Sequence, residues 1–301
     1  MKIFLAGGTG VVGTRALTAL LAAVHDLTAV ARSEDKAALV RALGGSPVTV
    51  DLFDAAAVRA AVVDHEGVVN LATSIPAISK AARAKAWDAN ERIRKEASNH
   101  LVDAALAAGA TRYVQESICF PYLDHGAEWI EEDHAVDHVG PFEGAASAEA
   151  AARRFGAVGG DWVVLRYAQF YAPDSTHTVA ANAALRKRIN PFIGAPEDYT
   201  SFIHADDAGS AVVASLLAPS GLYNVAEDEP LTRAEAGAAA AAALGAKPPR
   251  ALPKLLWKVA PTSGKLLMKS LRISNGRFKN ATGWQPAHPS IRGAWPVEVD
   301  A

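Results

Sequence analysis

Along the first part of the chain, short β-rich apolar runs alternate with longer stretches whose apolar positions recur three and four apart. The runs at 2–6, 27–31, 47–50, 67–71 and 112–115 predict strands, and the stretches at 15–24, 35–43, 55–63 and 88–107 predict the helices between them. Several of these stretches stop at Gly, and Asp54 and Asp88 stand where helix N-caps are expected. A further helix at 145–155 leads into a strand at 162–166. Strand and helix in regular alternation give parallel βαβ units with right-handed crossovers, so the predicted fold class is α/β, a Rossmann-type doubly wound parallel sheet. After about Tyr171 the pattern changes to short segments punctuated by Pro and Gly, with one returning strand at 221–225 and a Lys-studded amphipathic stretch at 253–270. The expected organisation is a dinucleotide-binding domain over 1–172, to which 200–226 returns, and a smaller substrate lobe made mainly of 173–301.

Chemistry enters at the end of the first strand, with Gly7-Gly8-Thr9-Gly10-Val11-Val12-Gly13. Gly7, Gly10 and Gly13 let the chain turn tightly, bring backbone N–H groups against a pyrophosphate and pack the following helix closely on the sheet. Because strand, loop and helix occur in order within the first βαβ unit, the motif predicts a dinucleotide site spanning Gly7, Thr9, Gly10, Val11, Val12 and Gly13. No Lys-Ser or Lys-Thr pair follows, which argues against a P-loop. At the end of the second strand, where a carboxylate would read the ribose of NAD, the chain has Arg32 and Ser33. A guanidinium fork and a hydroxyl suit a 2′-phosphate, so NADP(H) is the expected cofactor. By position alone, Asp51 and Leu52 flank the adenine, and Leu71, Ala72 and Thr73 line the dinucleotide cleft.

Composition narrows the partners. Among 301 residues, 30 Lys and Arg face 32 Asp and Glu, a net charge of −2. Such a balance offers no broad field to a phosphate backbone or an anionic membrane, so a small molecule is the expected partner, with no nucleic acid and no membrane, and a homodimer is admitted. The single cysteine, Cys119, forms no intrachain disulfide, and the first residues run straight into a strand, so a cytoplasmic location is expected.

Further landmarks occur in a fixed order: Asn90 within Trp87-Asp88-Ala89-Asn90, Ser117 just past Tyr113-Val114-Gln115-Glu116, and the run from Val164 to Pro173 that contains Gln169. Phe202-Ile203-His204-Ala205-Asp206-Asp207, Gly221-Leu222-Tyr223-Asn224-Val225 and Thr282-Gly283-Trp284-Gln285-Pro286 complete the series. With the glycine loop, these resemble the extended short-chain dehydrogenase/reductase family, which includes sugar-nucleotide epimerases and dehydratases, over nearly the whole chain. The resemblance implies that Ser117 holds the active-site Ser or Thr position and that Gln169 lies on the segment leading to the nicotinamide. It also implies a Tyr and, four residues on, a Lys that lowers the tyrosine pKa for proton exchange with an alcohol or carbonyl. Here the sequence departs: ungapped alignment puts Phe142 and Ala146 at those positions, and a one-residue shift puts Glu143 and Ser147 there.

Ser117, Tyr122 and Glu143 are the candidates for the missing proton chemistry, with Glu116 and Tyr167 behind them. A helix-start carboxylate such as Glu143 is equally explained by the helix dipole. The group Asp124, His125, Glu131, Glu132, Asp133, His134 and His138 matches no zinc spacing, and no metal is expected. The reading is an NADP(H)-binding oxidoreductase or epimerase/dehydratase-like enzyme with an altered acid–base set. The alternatives are a redox-neutral isomerase or lyase and a non-catalytic dinucleotide-sensing regulator.

Overall fold

The computed structural model of the protein describes residues 1–76, 83–250 and 268–297. Seven strands form its central sheet: β1 (Lys2–Ala6), β2 (Asp26–Val30), β3 (Ser46–Val48), β4 (Gly67–Asn70), β5 (Arg112–Ile118), β6 (Asp161–Tyr167) and β7 (Gly221–Val225). Their order is β7-β6-β5-β4-β1-β2-β3 and every pairing is parallel. The order reverses between β1 and β4, so a crevice opens at the carboxyl ends of those two strands, where ligands of open α/β sheets sit.

Successive residues of a strand point to opposite faces, and both faces are covered here. In β1, Ile3 and Leu5 join one apolar cluster while Phe4 and Ala6 join another. The first cluster is closed by helices α1 (Val11–Ala22), α2 (Glu34–Leu43) and, from far along the chain, Ala208, Ala211 and Val212. The second is closed by α3 (Ala55–Val62), by the long element α4, and by α5 (Glu143–Ala157). Beyond the sheet, α6 (Thr176–Arg186), α7 (Ala205–Ser215) and α8 (Arg233–Ala243) follow in the chain. α7 turns back onto α1, whereas α6 and α8 help enclose a separate cluster in which Tyr171 stacks on Trp295 at 5.6 Å.

Four expectations need correction. The first helix starts at Val11, because Gly10 caps it directly and no residues are spent between loop and helix. Asp54 caps α3 through bonds from the Ala56 and Ala57 N–H groups, but Asp88 caps nothing. A 3-10 turn, Ala84–Trp87, already leads into it, so its backbone is helical (φ −52°) where a cap residue must be extended. The helix at 88–107 is α4 in three pieces, Asp88–Arg92, a π turn at Ile93–Ala97, and Ser98–Ala108. The Lys-studded stretch, for which a lobe helix with snorkelling lysines is the expectation, lies mostly outside the described residues, and Lys269, which is described, turns inward: its ammonium donates to the carbonyls of Phe120 (2.9 Å) and Tyr122 (2.7 Å).

Candidate active site

The glycine loop has the shape the sequence requires. Gly7 adopts φ +82°, and a Cβ there or at Gly13 would overlap backbone atoms, of Leu71 and of Gly7 respectively. The Gly10 N–H donates to the Gly7 carbonyl at 3.2 Å, closing the turn, and α1 carries no acidic residue in its first turn. Its positive end, with Val11 and Val12 in the first turn, is therefore free to face a pyrophosphate.

At the end of β2, Arg32 and Ser33 are both exposed. Ser33 is the N-cap of α2, accepting from the Lys36 N–H at 3.4 Å. That cap aims Lys36 back across the loop, where its ammonium donates to the Thr9 carbonyl at 3.3 Å. Two cations, Arg32 and Lys36, thus stand beyond the end of β2, and the second was missed in the sequence; the signal for it was the helix start announced by Ser33. Asp51 is exposed and accepts from the Phe53 N–H at 3.0 Å, while the Leu52 carbonyl accepts from His100. On the other side of the crevice Leu71 and Ala72 are buried and Thr73 is half-buried, and Asn90 fixes the segment by accepting from the Ser74 N–H at 3.0 Å. Gln169 is half-buried and its N–H donates to the Ser201 carbonyl.

The chemical end lies at the last residues of β5 and β6. β5 runs three residues further than expected, which places Ser117 inside the sheet opposite Arg166. Register partners leave a sheet on the same face, and on that face Glu149 of α5 receives both. Ser117 Oγ donates to Glu149 Oε1 at 2.8 Å, and Arg166 donates from Nε at 2.8 Å and from Nη2 at 2.7 Å to the two carboxylate oxygens. Burial pushes the Glu149 carboxyl up, but the Arg166 and Ser117 hydrogen bonds outweigh it and hold the group below the ordinary carboxylate range. A second buried pair lies alongside, where the π turn delivers Arg94 to Glu116 at 2.7 and 2.8 Å.

The three proposed proton carriers are not brought together. Ser117 is fully buried and its proton is committed to Glu149. Tyr122 is buried, donates to Asn224 Oδ1 at 2.8 Å and lies under the Arg166 guanidinium at 4.9 Å; burial raises its pKa well beyond the ordinary phenol value. Glu143 begins α5 in solvent, its side chain 56 % exposed and paired with Lys95 at 3.1 Å, so the burial that an acid role needed is absent. Phe142, which the ungapped alignment sets at the family's tyrosine, is 1 % exposed, stacked on Phe120 (5.9 Å) with Trp87 edge-on (6.4 Å).

Two histidine groups complete the picture. His204, Asp206 and His288 offer ligand atoms within 4.8 Å of one another. However, Arg15 already occupies Asp206 at 2.5 Å and the Asp206 N–H donates to His204 Nδ1 at 3.2 Å, so the cluster serves the start of α7. Of the acidic and histidine residues between 124 and 138, His138 feels the charges of Glu149, Arg166 and Arg94, and Glu132, which accepts from the Asn224 N–H at 2.8 Å, acts on Tyr122 and Cys119.

Similar proteins carry the same elements. A family model described as NAD(P)H-binding matches residues 7–190. The chain is 34 % identical over 306 residues to a 3-diazoavenalumate denitrifying reductase from a Streptomyces species, covering 97 % of this chain and 98 % of that protein. The human epimerase family protein SDR39U1, crystallised with NADPH, superposes with a TM-score of 0.79 at 22 % identity, covering 98 % of each chain. The UDP-Glc/GlcNAc 4-epimerase of Campylobacter jejuni gives 0.74 at 18 % identity, covering 97 % of this chain and 95 % of that one. A glycine loop at a parallel-sheet switch point, in a chain so matched from end to end, places this protein in the NAD(P)H-binding family, with the fold of the extended short-chain dehydrogenase/reductases.

Proposed function

We propose that the protein is an NADPH-dependent reductase of electron-poor aromatic acceptors, in particular of aryl diazo compounds that lose nitrogen as they are reduced. The carrying observation is Phe142. Where alcohol chemistry needs a phenol with a cation four residues on, the chain has a buried phenyl ring and Ala146, and the charged pairs around it, Glu143 with Lys95 and Glu149 with Arg166, are neutralised internally. Such a site exchanges no proton with a hydroxyl, so it suits an acceptor that needs none. The curated relative, by name a denitrifying reductase of a diazo compound, supports that class.

The glycine loop and the first turn of α1 fit the pyrophosphate, and Arg32 with Lys36 fits a 2′-phosphate better than a bare ribose. The chemistry that bound NADPH supplies is hydride, and for a diazonium acceptor the balance is R–N2⁺ + H⁻ → R–H + N2, with no proton taken from the protein. The chain's part is to hold the ring in position, to exclude water with Phe142, Phe120 and Trp87, and to keep Glu149 from attacking the electrophile by locking both its oxygens. An anaerobic assay with 4-carboxybenzenediazonium and NADPH tests this. One N2 per NADPH, well above the protein-free rate, with deuterium from 4-deuterated NADPH in the arene, is expected. No acceleration over the protein-free rate, or faster turnover with ketones or secondary alcohols, overturns it.

A further inference from the structure

The 131–139 segment folds back along the chain that leaves β5. Tyr122 and Val136 form an antiparallel bridge, the Leu123 N–H donates to the Ala135 carbonyl at 3.1 Å, and the Asp137 N–H donates to the Pro121 carbonyl at 2.7 Å. Lys269 pins the facing strand from the other side by holding the carbonyls of Phe120 and Tyr122. A surface loop has no need of so much fastening. Its effect is to fasten Asp137 to Pro121 and so to set His138, four residues before Phe142, within the field of Glu149 and Arg166.

The ring is half-buried, and Nε2 is fully buried with no hydrogen-bond partner among the described residues. An orphaned, buried imidazole nitrogen costs about 1–3 kcal/mol of desolvation unless something completes it. The residues around it carry Arg166 and Arg94 as well as Glu149, and Glu149 is spoken for.

We propose that His138 is the substrate-binding residue of this site, donating from Nε2 to an oxygen carried by an aromatic substrate, phenolic or carboxylate, whose ring lies against Phe120. It takes the hydrogen-bonding half of the role that the family gives to tyrosine and leaves the proton-exchange half unfilled. The aromatic character of the substrate rests on the reductase reading; the histidine contact does not require turnover.

Calorimetric titration of the NADP⁺-loaded protein with 4-hydroxycinnamate, cinnamate and 4-hydroxystyrene tests it and separates the two oxygens. His138→Leu should weaken 4-hydroxycinnamate binding tenfold or more while His138→Gln, which keeps a donor, loses no more than about threefold. The analogue lacking the contacted oxygen should bind wild type and His138→Leu alike. The groups facing His138 are Glu149 on α5, Arg166 on β6, Arg94 on α4 and its neighbour Asp137. Burial holds His138 below the usual histidine range, so it is neutral at pH 7 and becomes imidazolium as pH falls. Affinity for the anionic ligand should therefore rise in acid in the wild type and stay flat in His138→Gln, a difference that a purely structural histidine does not produce. Equal affinity of wild type and His138→Leu for all three ligands, or parallel pH profiles, overturns the proposal. Absence of diazo turnover with these differences intact overturns the reductase reading alone.

Discussion

Replacing Arg166 by Met removes two of the three hydrogen bonds to Glu149 and leaves a buried carboxylate with the Ser117 hydroxyl and, at 3.8 Å, the half-exposed Arg153. The pair's side chains are 4 % and 5 % exposed. Breaking a buried pair from one side costs about 3–5 kcal/mol, because the survivor is an uncompensated charge. At about 2 °C per kcal/mol, the low end for larger chains, Tm at pH 7 should fall by roughly 6–10 °C. Adding Glu149→Gln removes the stranded charge, and the double variant should recover about 2 kcal/mol. The pH dependence has a definite sign. In the wild type Glu149 is held below its unfolded value, so its contribution is complete above that value and is lost as pH falls through the depressed folded value. In Arg166→Met burial outweighs what Ser117 and Arg153 still supply and Glu149 rises above its unfolded value; the penalty is greatest at neutral pH and shrinks as pH drops through the raised value. Urea or thermal melts of the wild type, Arg166→Met and the double variant between pH 4 and 8 measure all of this. A loss below about 1 kcal/mol, or a wild-type to Arg166→Met gap that does not narrow in acid, refutes the reasoning.

Three other outcomes are expected. Arg32→Ala and Lys36→Ala should each weaken NADPH roughly tenfold, from about 1.5 kcal/mol per charge-assisted contact, and leave NADH nearly unchanged; fluorescence titration of both nucleotides decides it. Gly13→Ala pushes a methyl group into the Gly7 carbonyl, so both nucleotides should bind at least a hundredfold more weakly, provided circular dichroism shows the fold intact. Phe142→Tyr with Ala146→Lys should raise NADP⁺-dependent oxidation of secondary alcohols above the wild-type level, whereas Phe142→Tyr alone should not, since the lysine is what makes the phenol a usable base; steady-state rates with a simple alcohol panel are the check.

Much of the nucleotide end was legible because its physics is local. Whether a chain can turn through positive φ at Gly7, start a helix at Gly10 and pack Gly13 on the loop is settled within seven residues, and β1, β4 and β7 are recognisable from their apolar runs. The reading that the dyad is missing, with Phe142 and Ala146 or Glu143 and Ser147 at its positions, rests on alignment of a single helix. Lys36 escaped because its ammonium matters only through the direction in which Ser33 launches α2.

The chemical end depended on distance along the chain. Ser117, Arg166 and Glu149 meet because β5 and β6 pair in one particular register and α5 crosses above them; a slip of one residue would turn one of the two strand side chains to the other face. The π turn that sends Arg94 to Glu116 and the pairing that fastens Asp137 to Pro121 likewise have no local signature, and Lys269 reaches its carbonyls from nearly 150 residues away. The sequence determined where the backbone must bend and which faces must be apolar, since these are set by neighbours a few bonds apart. Only the tertiary structure decided which charges share a buried space, because that depends on strand register and helix placement, and those are fixed by packing of the whole core.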